Sequence, residues 1–131
     1  MTAPDDPFYP PRLLTQPNSL PVPIVWCAHT PEDQLLMLEE LDLWVDWLID
    51  RYRLDQRVIP PCWHEHPELL EELAALHLAW QGAFASTAAP DAPLHWHEHF
   101  AAATSRLGDW AARTGCRPRG HRPRSGLAVR E

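Results

Sequence analysis

Two short Cys/His pairs are the residues in this sequence best suited to metal chemistry. Cys62 and His66 are separated by three residues, and Cys116 and His121 are separated by four. Thiolate sulfur and imidazole nitrogen are ligands that zinc prefers, and structural zinc sites hold the ion with four of them. The sequence therefore predicts one zinc ion on Cys62, His66, Cys116 and His121. In the alternative interpretation, both cysteines are small buried hydrophobic residues.

A second histidine-rich segment lies at residues 95–99. His95 and His99 are four residues apart, which places both on one face of a helix. Catalytic use of His97, Glu98 or His99 would make the protein a metal-dependent enzyme. However, the HExxH motif of zinc proteases is absent, and so are the signatures of serine and cysteine nucleophiles. We therefore expect these residues to pack rather than to catalyse, with the enzyme as an alternative.

The C-terminal segment is strongly basic, unlike the rest of the chain. Residues 28–100 contain 14 acidic residues and three arginines, whereas residues 101–131 contain two acidic residues and seven arginines. Residues 117–124 read RPRGHRPR, which is similar to the RPRGRP core of an AT-hook with one histidine inserted. Clustered arginines bind DNA phosphates weakly and in a salt-dependent way. The predicted DNA contacts are Arg117, Arg119, Arg122 and Arg124; alternatively, the tail is solvated or lies on the acidic helices.

Three segments with helical periodicity must position these residues. Thr30 is a typical N-cap for a helix over residues 31–53. After a Pro-Pro break, a second helix is predicted over about 67–85 and a third over about 93–114, with Gly115 as its C-cap. The candidate zinc ligands thus fall before the second helix and after the third.

The predicted fold class is all-α, a small bundle of about three main helices. Residues 1–27 form a Pro-rich arm, residues 28–115 the helical domain, and residues 116–131 the Arg-rich tail. At most, residues 23–27 have the pattern of a strand.

The first helix has an apolar stripe wide enough to suggest a protein interface. Trp44 and Trp47 widen the stripe, which predicts that this helix is either central to the fold or lies at an interface with a second copy or a protein partner. Its acidic face is either solvated or a docking strip for a basic partner. The buried stripes predicted for the three helices are Leu38, Leu41, Val45, Leu48 and Tyr52; Leu69, Leu73, Leu76, Trp80 and Phe84; and Trp96, Phe100, Ala103, Leu107 and Trp110.

Composition excludes several classes of protein. The chain has 131 residues, a net charge of −7 and no lysine, so it is neither a P-loop NTPase nor a Schiff-base lysine enzyme. Its five glycines form no GxGxxG fingerprint. No apolar run approaches the length of a membrane span, and the first residues are acidic and broken by proline. Three cysteines do not make a closed disulfide framework. We expect a cytoplasmic protein without a membrane partner.

Several short motifs resemble an uncharacterised actinobacterial domain family of unknown function. That family occurs mostly on plasmids, phages and integrative elements, so the resemblance implies a mobile-element setting and no particular activity. We therefore predict a non-enzymatic accessory protein of a mobile element that acts by binding. The motifs lie between about residues 38 and 123 and are Trp44-Val45-Asp46-Trp47-Leu48, Arg51-Tyr52-Arg53, Trp63-His64-Glu65-His66-Pro67-Glu68 leading to Leu76 and Trp80, Trp96-His97-Glu98-His99, Gly115-Cys116 and Gly120-His121.

Overall fold

The computed structural model describes residues 22–116, which form three α-helices and two single-turn 3₁₀-helices. The α-helices are α1 (Pro31–Tyr52), α2 (Pro67–Ala83) and α3 (Ala92–Thr114), and the 3₁₀-helices are Trp26–Ala28 and Trp63–Glu65. None of the helices in this part of the chain is both long and apolar enough to cross a membrane. The all-α prediction is confirmed, while residues 1–21 and 117–131 lie outside the described residues.

Both ends of α1 follow from local chemistry. The Thr30 hydroxyl accepts a hydrogen bond from the Asp33 amide at 3.1 Å, and Pro31 occupies the first turn, where its missing N–H costs nothing. At the other end Arg53 adopts the left-handed conformation with φ of 55°, and its N–H bonds to the Ile49 carbonyl. Thr30 is therefore the N-cap that the sequence predicts.

The hydrophobic core lies between α2 and its two neighbours. α2 contacts both other helices and contacts α3 more extensively. The Trp96 indole N–H donates to the Leu76 carbonyl at 3.2 Å, which satisfies a polar atom inside the α2–α3 contact. At the surface, Arg106 pairs with Glu72 at 2.6 Å between the same helices. The largest fully buried side chains are Trp44, Val45, Leu48, Leu69, Leu73, Trp96 and Leu107.

A cluster of aromatic rings joins α1 to α2. The ring centroid of Trp44 lies 6.4 Å from that of Trp47 and 6.0 Å from that of Trp80. The ring centroids of Trp47 and Trp80 lie 5.5 Å apart. Trp44 has no exposed surface and stacks on His77. Of the two explanations that the sequence left open for the wide apolar stripe, a central helix and an interface, the first applies to Trp44, because α2 covers that side of α1.

One local expectation, the burial of Phe84, is wrong. Phe84, predicted to be buried, is 46% exposed, since α2 ends at Ala83 and leaves the next side chain outside the helical stripe. The segment 23–27, which at most has the pattern of a strand, forms no strand; Trp26–Ala28 make a single 3₁₀ turn, in which the Ala28 amide donates to the Val25 carbonyl at 3.0 Å. No strand occurs within residues 22–116.

Candidate metal centre

The 3₁₀ turn before α2 fixes the positions of Cys62 and His66. The Glu65 amide donates to the Cys62 carbonyl at 2.9 Å, and the His66 amide donates to the Trp63 carbonyl at 3.1 Å. Trp63 is 3% exposed and anchors the turn in the core. The His66 carbonyl accepts the first amide bonds of α2, whereas its side chain makes no capping bond. Its imidazole therefore lies in the site rather than on the helix end.

A left-handed turn after α3 brings Cys116 to the same place. Gly115 has a φ of 74°, a conformation that glycine adopts without the steric cost of a Cβ atom. The Thr114 hydroxyl donates to the Ala111 carbonyl at 2.6 Å and accepts from the Cys116 amide at 3.1 Å. These bonds direct the chain away from the axis of α3, and Gly115 is the C-cap that the sequence predicts.

Three potential ligands converge at the junction of these two turns. His66 Nε2 lies 3.5 Å from Cys62 Sγ and 3.4 Å from Cys116 Sγ. The three ligand atoms all lie within 4.8 Å of one another, so this group can hold a metal ion. His66 is 5% exposed and both cysteines are partly buried. The contact between His66 and Cys116 joins residues 50 positions apart in the sequence.

The two sulfur–nitrogen distances match those of a tetrahedral zinc site. A zinc ion with a Zn–S bond of about 2.3 Å and a Zn–N bond of about 2.0 Å separates its sulfur and nitrogen ligands by roughly 3.5 Å. The two S···N distances, 3.4 and 3.5 Å, agree with that separation before any rearrangement. The same distances also fit thiol–imidazole hydrogen bonds, which is the arrangement without a metal.

The Cys62 thiol is protonated at neutral pH when no metal is bound. Burial, together with the neighbouring Cys116 thiol, raises the pKa of the Cys62 thiol to about 11. A bound cation reverses this preference, since zinc binds the thiolate and releases the proton. None of the three cysteines forms a disulfide, and Cys27 is exposed and outside the group.

The structure brings together three of the four predicted zinc ligands. His121 and the predicted DNA contacts Arg117, Arg119, Arg122 and Arg124 lie outside the described residues. Their roles therefore remain predictions.

The histidines of α3 have other neighbours. His95 lies 3.2 Å from Asp91 and 3.4 Å from Glu98, and hydrogen bonds to these carboxylates raise its pKa. His97 Nε2 lies 3.1 Å from the hydroxyl of Tyr52 on α1. In the described part of the chain, neither they nor His99 belong to a group of three potential metal ligands.

Sequence reasoning missed the residues that orient the ligands. Thr114 positions the Cys116 backbone, and Trp63 holds the turn that carries Cys62 and His66. The only sequence signal for Trp63 is an aromatic residue beside the Cys/His pair, and Thr114 gives none.

Comparisons with protein-family models, curated proteins and solved structures found no match to this chain. The resemblance to a mobile-element domain family therefore rests on the motifs alone.

Proposed function

We propose that the protein is a non-enzymatic binding module whose helices are joined by one structural zinc ion. The observation that carries this proposal is the convergence of Cys62, His66 and Cys116. Two thiolates and one imidazole suit zinc better than magnesium or calcium, which prefer oxygen ligands. His121 follows Cys116 by five positions and supplies the fourth ligand. The centre is structural because its four positions are filled by the protein.

The proposed zinc ion would cross-link two segments that are far apart in the sequence. It joins the N-terminus of α2 to the residues after α3, closing a loop of 50 residues. A described domain of this size buries a limited apolar core, so a metal cross-link adds usefully to its stability. Zinc would also fix the start of the C-terminal tail, because Arg117 directly follows a ligand.

The zinc proposal is tested by cysteine substitutions in protein purified under reducing conditions without chelator. We expect about one zinc ion per chain by elemental analysis. Cys62→Ser and Cys116→Ser should each lower the zinc content strongly and lower the Tm by roughly 10 °C, since losing a ligand removes stability coupled to metal binding. The matched control is Cys27→Ser, because Cys27 is exposed and outside the group.

Two further measurements test the fourth zinc ligand and the alternative in which no metal is bound. His121→Ala should weaken zinc binding less than Cys116→Ser does, because both thiolates remain and zinc binds a thiolate more strongly than an imidazole. Full-length protein with less than about 0.2 zinc per chain, and a Tm that chelator does not change, would show that the group is only a set of hydrogen-bonded side chains.

We further propose that the tail is the DNA-binding part of this module in the bacterial cytoplasm, where the protein serves a mobile element. Residues 22–116 contain 15 acidic residues and five arginines, so the described helices repel phosphate. The four arginines at positions 117, 119, 122 and 124 are the densest positive charge in the chain. Reduced thiols also fit the reducing cytoplasm.

DNA binding is measured by fluorescence anisotropy with A·T-rich and G·C-rich duplexes at two salt concentrations. About four phosphate contacts give a slope of log affinity against log salt of roughly −4. Replacing Arg117, Arg119, Arg122 and Arg124 together by glutamine should abolish binding, and His121 remains in place to keep the zinc ligands. The matched control, Arg113→Gln, lies within α3 and should bind like the parent protein. If the variant with all four substitutions still binds DNA, the DNA contact belongs to another surface.

A protein-binding module is the second candidate function, and one observation favours it. Leu35, Leu36 and Leu43 on α1 are 58%, 52% and 53% exposed. Leu36 and Leu43 are seven residues apart, which places them two turns apart on one face of α1. Burial of this face against a second copy or another protein would remove apolar surface from water.

A further inference from the structure

A cavity of about 360 Å³ lies between the connection from α1 to α2 and the last turns of α3. Val58 and Pro60 line it from the connection, and Ala111 and Ala112 line it from α3. Cys116 forms its border with the candidate metal centre. The volume lies at the lower end of the range for small-molecule sites, and the walls are predominantly apolar, as such sites usually are.

A glycine inside α3 keeps the cavity open. Gly108 lines the cavity from the C-terminal half of α3. Inside a helix, glycine lowers stability relative to alanine. Packing does not require the glycine, because a Cβ atom there would meet only the Arg57 carbonyl oxygen at 4.0 Å, an ordinary contact. Gly108 therefore leaves space that the side chains of residues 22–116 do not fill. A longer side chain at this position would occupy the cavity.

The charge around the cavity favours an anion. Residues 51–60 carry three arginines and one aspartate, in contrast to the acidic character of the other described residues. Arg57 lines the cavity and is exposed, and it forms no ion pair with any residue between 22 and 116. Gln56 adds an amide at the same place. Apolar walls beside an arginine that has no ion pair within residues 22–116 suit an apolar molecule with one negative charge.

We propose that this cavity binds a small organic anion, an apolar body of about six to ten non-hydrogen atoms that ends in a carboxylate. The apolar body packs on Val58, Pro60 and the alanines of α3, and the Arg57 guanidinium pairs with the carboxylate at the rim. The site does not depend on the proposed zinc ion. It lies beside the metal centre, so an occupied cavity also covers the Cys116 side of that centre.

The probes are hexanoate, 1-hexanol and hexylammonium, which share the apolar chain and differ in charge. Full-length protein labelled at its methyl groups is titrated with each of them and followed by NMR. The Val58, Ala111 and Ala112 methyl groups report on the cavity, and those of Leu36 and Leu43 report on a distant exposed surface. We expect saturable shifts at the cavity with hexanoate, with a Kd below about 1 mM and at least tenfold weaker binding of hexanol and hexylammonium.

Two substitutions test the two parts of the site. Arg57→Gln should lower the affinity for hexanoate at least tenfold and leave the affinity for hexanol unchanged. Arg113→Gln, outside the cavity lining, should change neither affinity. Gly108→Leu should abolish the cavity shifts, while Gly108→Ala, which keeps most of the space, should retain them. Circular dichroism checks that each variant is folded, and Arg57→Gln decides the test alone if Gly108→Leu unfolds.

Equal affinity for hexanoate and hexanol, or hexanoate binding that Arg57→Gln leaves intact, would overturn the proposal. Shifts that do not saturate, or that appear equally at Leu36 and Leu43, would overturn it too, because they indicate non-specific adsorption. The zinc content is measured on the same samples. Protein purified without chelator that contains no zinc but still binds hexanoate would contradict the zinc proposal through its zinc content and leave the cavity proposal standing.

Discussion

His77 is a neutral histidine held inside the helical bundle. It is 5% exposed, its ring stacks on Trp44 with centroids 4.7 Å apart, and Gln81 Nε2 donates to its Nε2 at 3.1 Å. Burial lowers the pKa of His77 to about 4, because the imidazolium would lose its hydration without gaining a counter-ion. The residue thus couples protonation to folding, although no feature of the sequence separates it from the exposed histidines.

The free energy of unfolding should therefore fall on acidification between about pH 6.5 and pH 4. In that window the unfolded chain binds a proton at His77 and the folded chain does not, so stability is complete above pH 6.5 and decreases as pH falls. A difference of about 2.5 pKa units corresponds to roughly 3 kcal/mol. His77→Phe keeps the stacked ring and should reduce the pH dependence of the free energy of unfolding. Chemical denaturation at several pH values measures this dependence. His99→Gln, at an exposed position, is the control; a parent-like slope in His77→Phe would assign the acid sensitivity elsewhere.

At the scale of elements, α3 contains one glycine that the backbone requires and one that it does not. Gly115 ends the helix with a φ of 74°, whereas Gly108 is helical and has room for a Cβ atom. The two positions lie seven residues apart in one element, so they form a matched pair. The same change at each should have opposite effects on stability.

Gly115→Ala should lower the free energy of unfolding by about 1 kcal/mol, because alanine in the left-handed conformation brings its Cβ close to the following carbonyl. It should also reduce zinc content, since Cys116 follows directly. Gly108→Ala should raise the free energy of unfolding by about 0.5–1 kcal/mol through helix propensity. Urea titrations of the two variants measure both effects, and the same sign for both would refute this assignment of the two glycines.

At the scale of the whole molecule, α1 has one face in the core and another that exposes leucines. Trp44 and Leu48 belong to the core, and Leu36 and Leu43 lie outside. The interface proposal therefore depends on a different face from the one suggested by the tryptophans in sequence. That difference changes which residue should be substituted to test it.

Leu43→Glu should convert a dimer to a monomer of 15.0 kDa if this face is the interface. A charge placed in an apolar interface must be desolvated without a partner, which disfavours association. Light scattering at high protein concentration measures the mass. Leu94→Glu is the matched control, since Leu94 is 69% exposed on α3 and should leave the mass unchanged. A monomeric parent protein would reject the homodimer and leave a different protein as the partner.

The sequence by itself determined the three helices and most of their buried faces. Thr30 and Gly115 act as caps as predicted, because capping depends on a few neighbouring residues. Leu69, Leu73 and Trp96 are buried as their periodicity predicts. The two Cys/His pairs were also visible, because metal ligands are rare residue types at recognisable spacing. The prediction that Phe84 is buried was wrong, because α2 ends a residue or two earlier than the sequence predicts. The side chain of Phe84 therefore points to a different side.

Only the tertiary structure decided which of these local features meet. Cys116 lies beside His66 because α2 and α3 pack in one relative orientation, which depends on the fit of their buried side chains rather than on spacing in the chain. The same packing covers Trp44 and leaves Leu43 exposed, and it leaves the space beside Gly108. Periodicity identifies an apolar face but not its neighbour, since the hydrophobic effect is non-directional and only side-chain shape selects the contact.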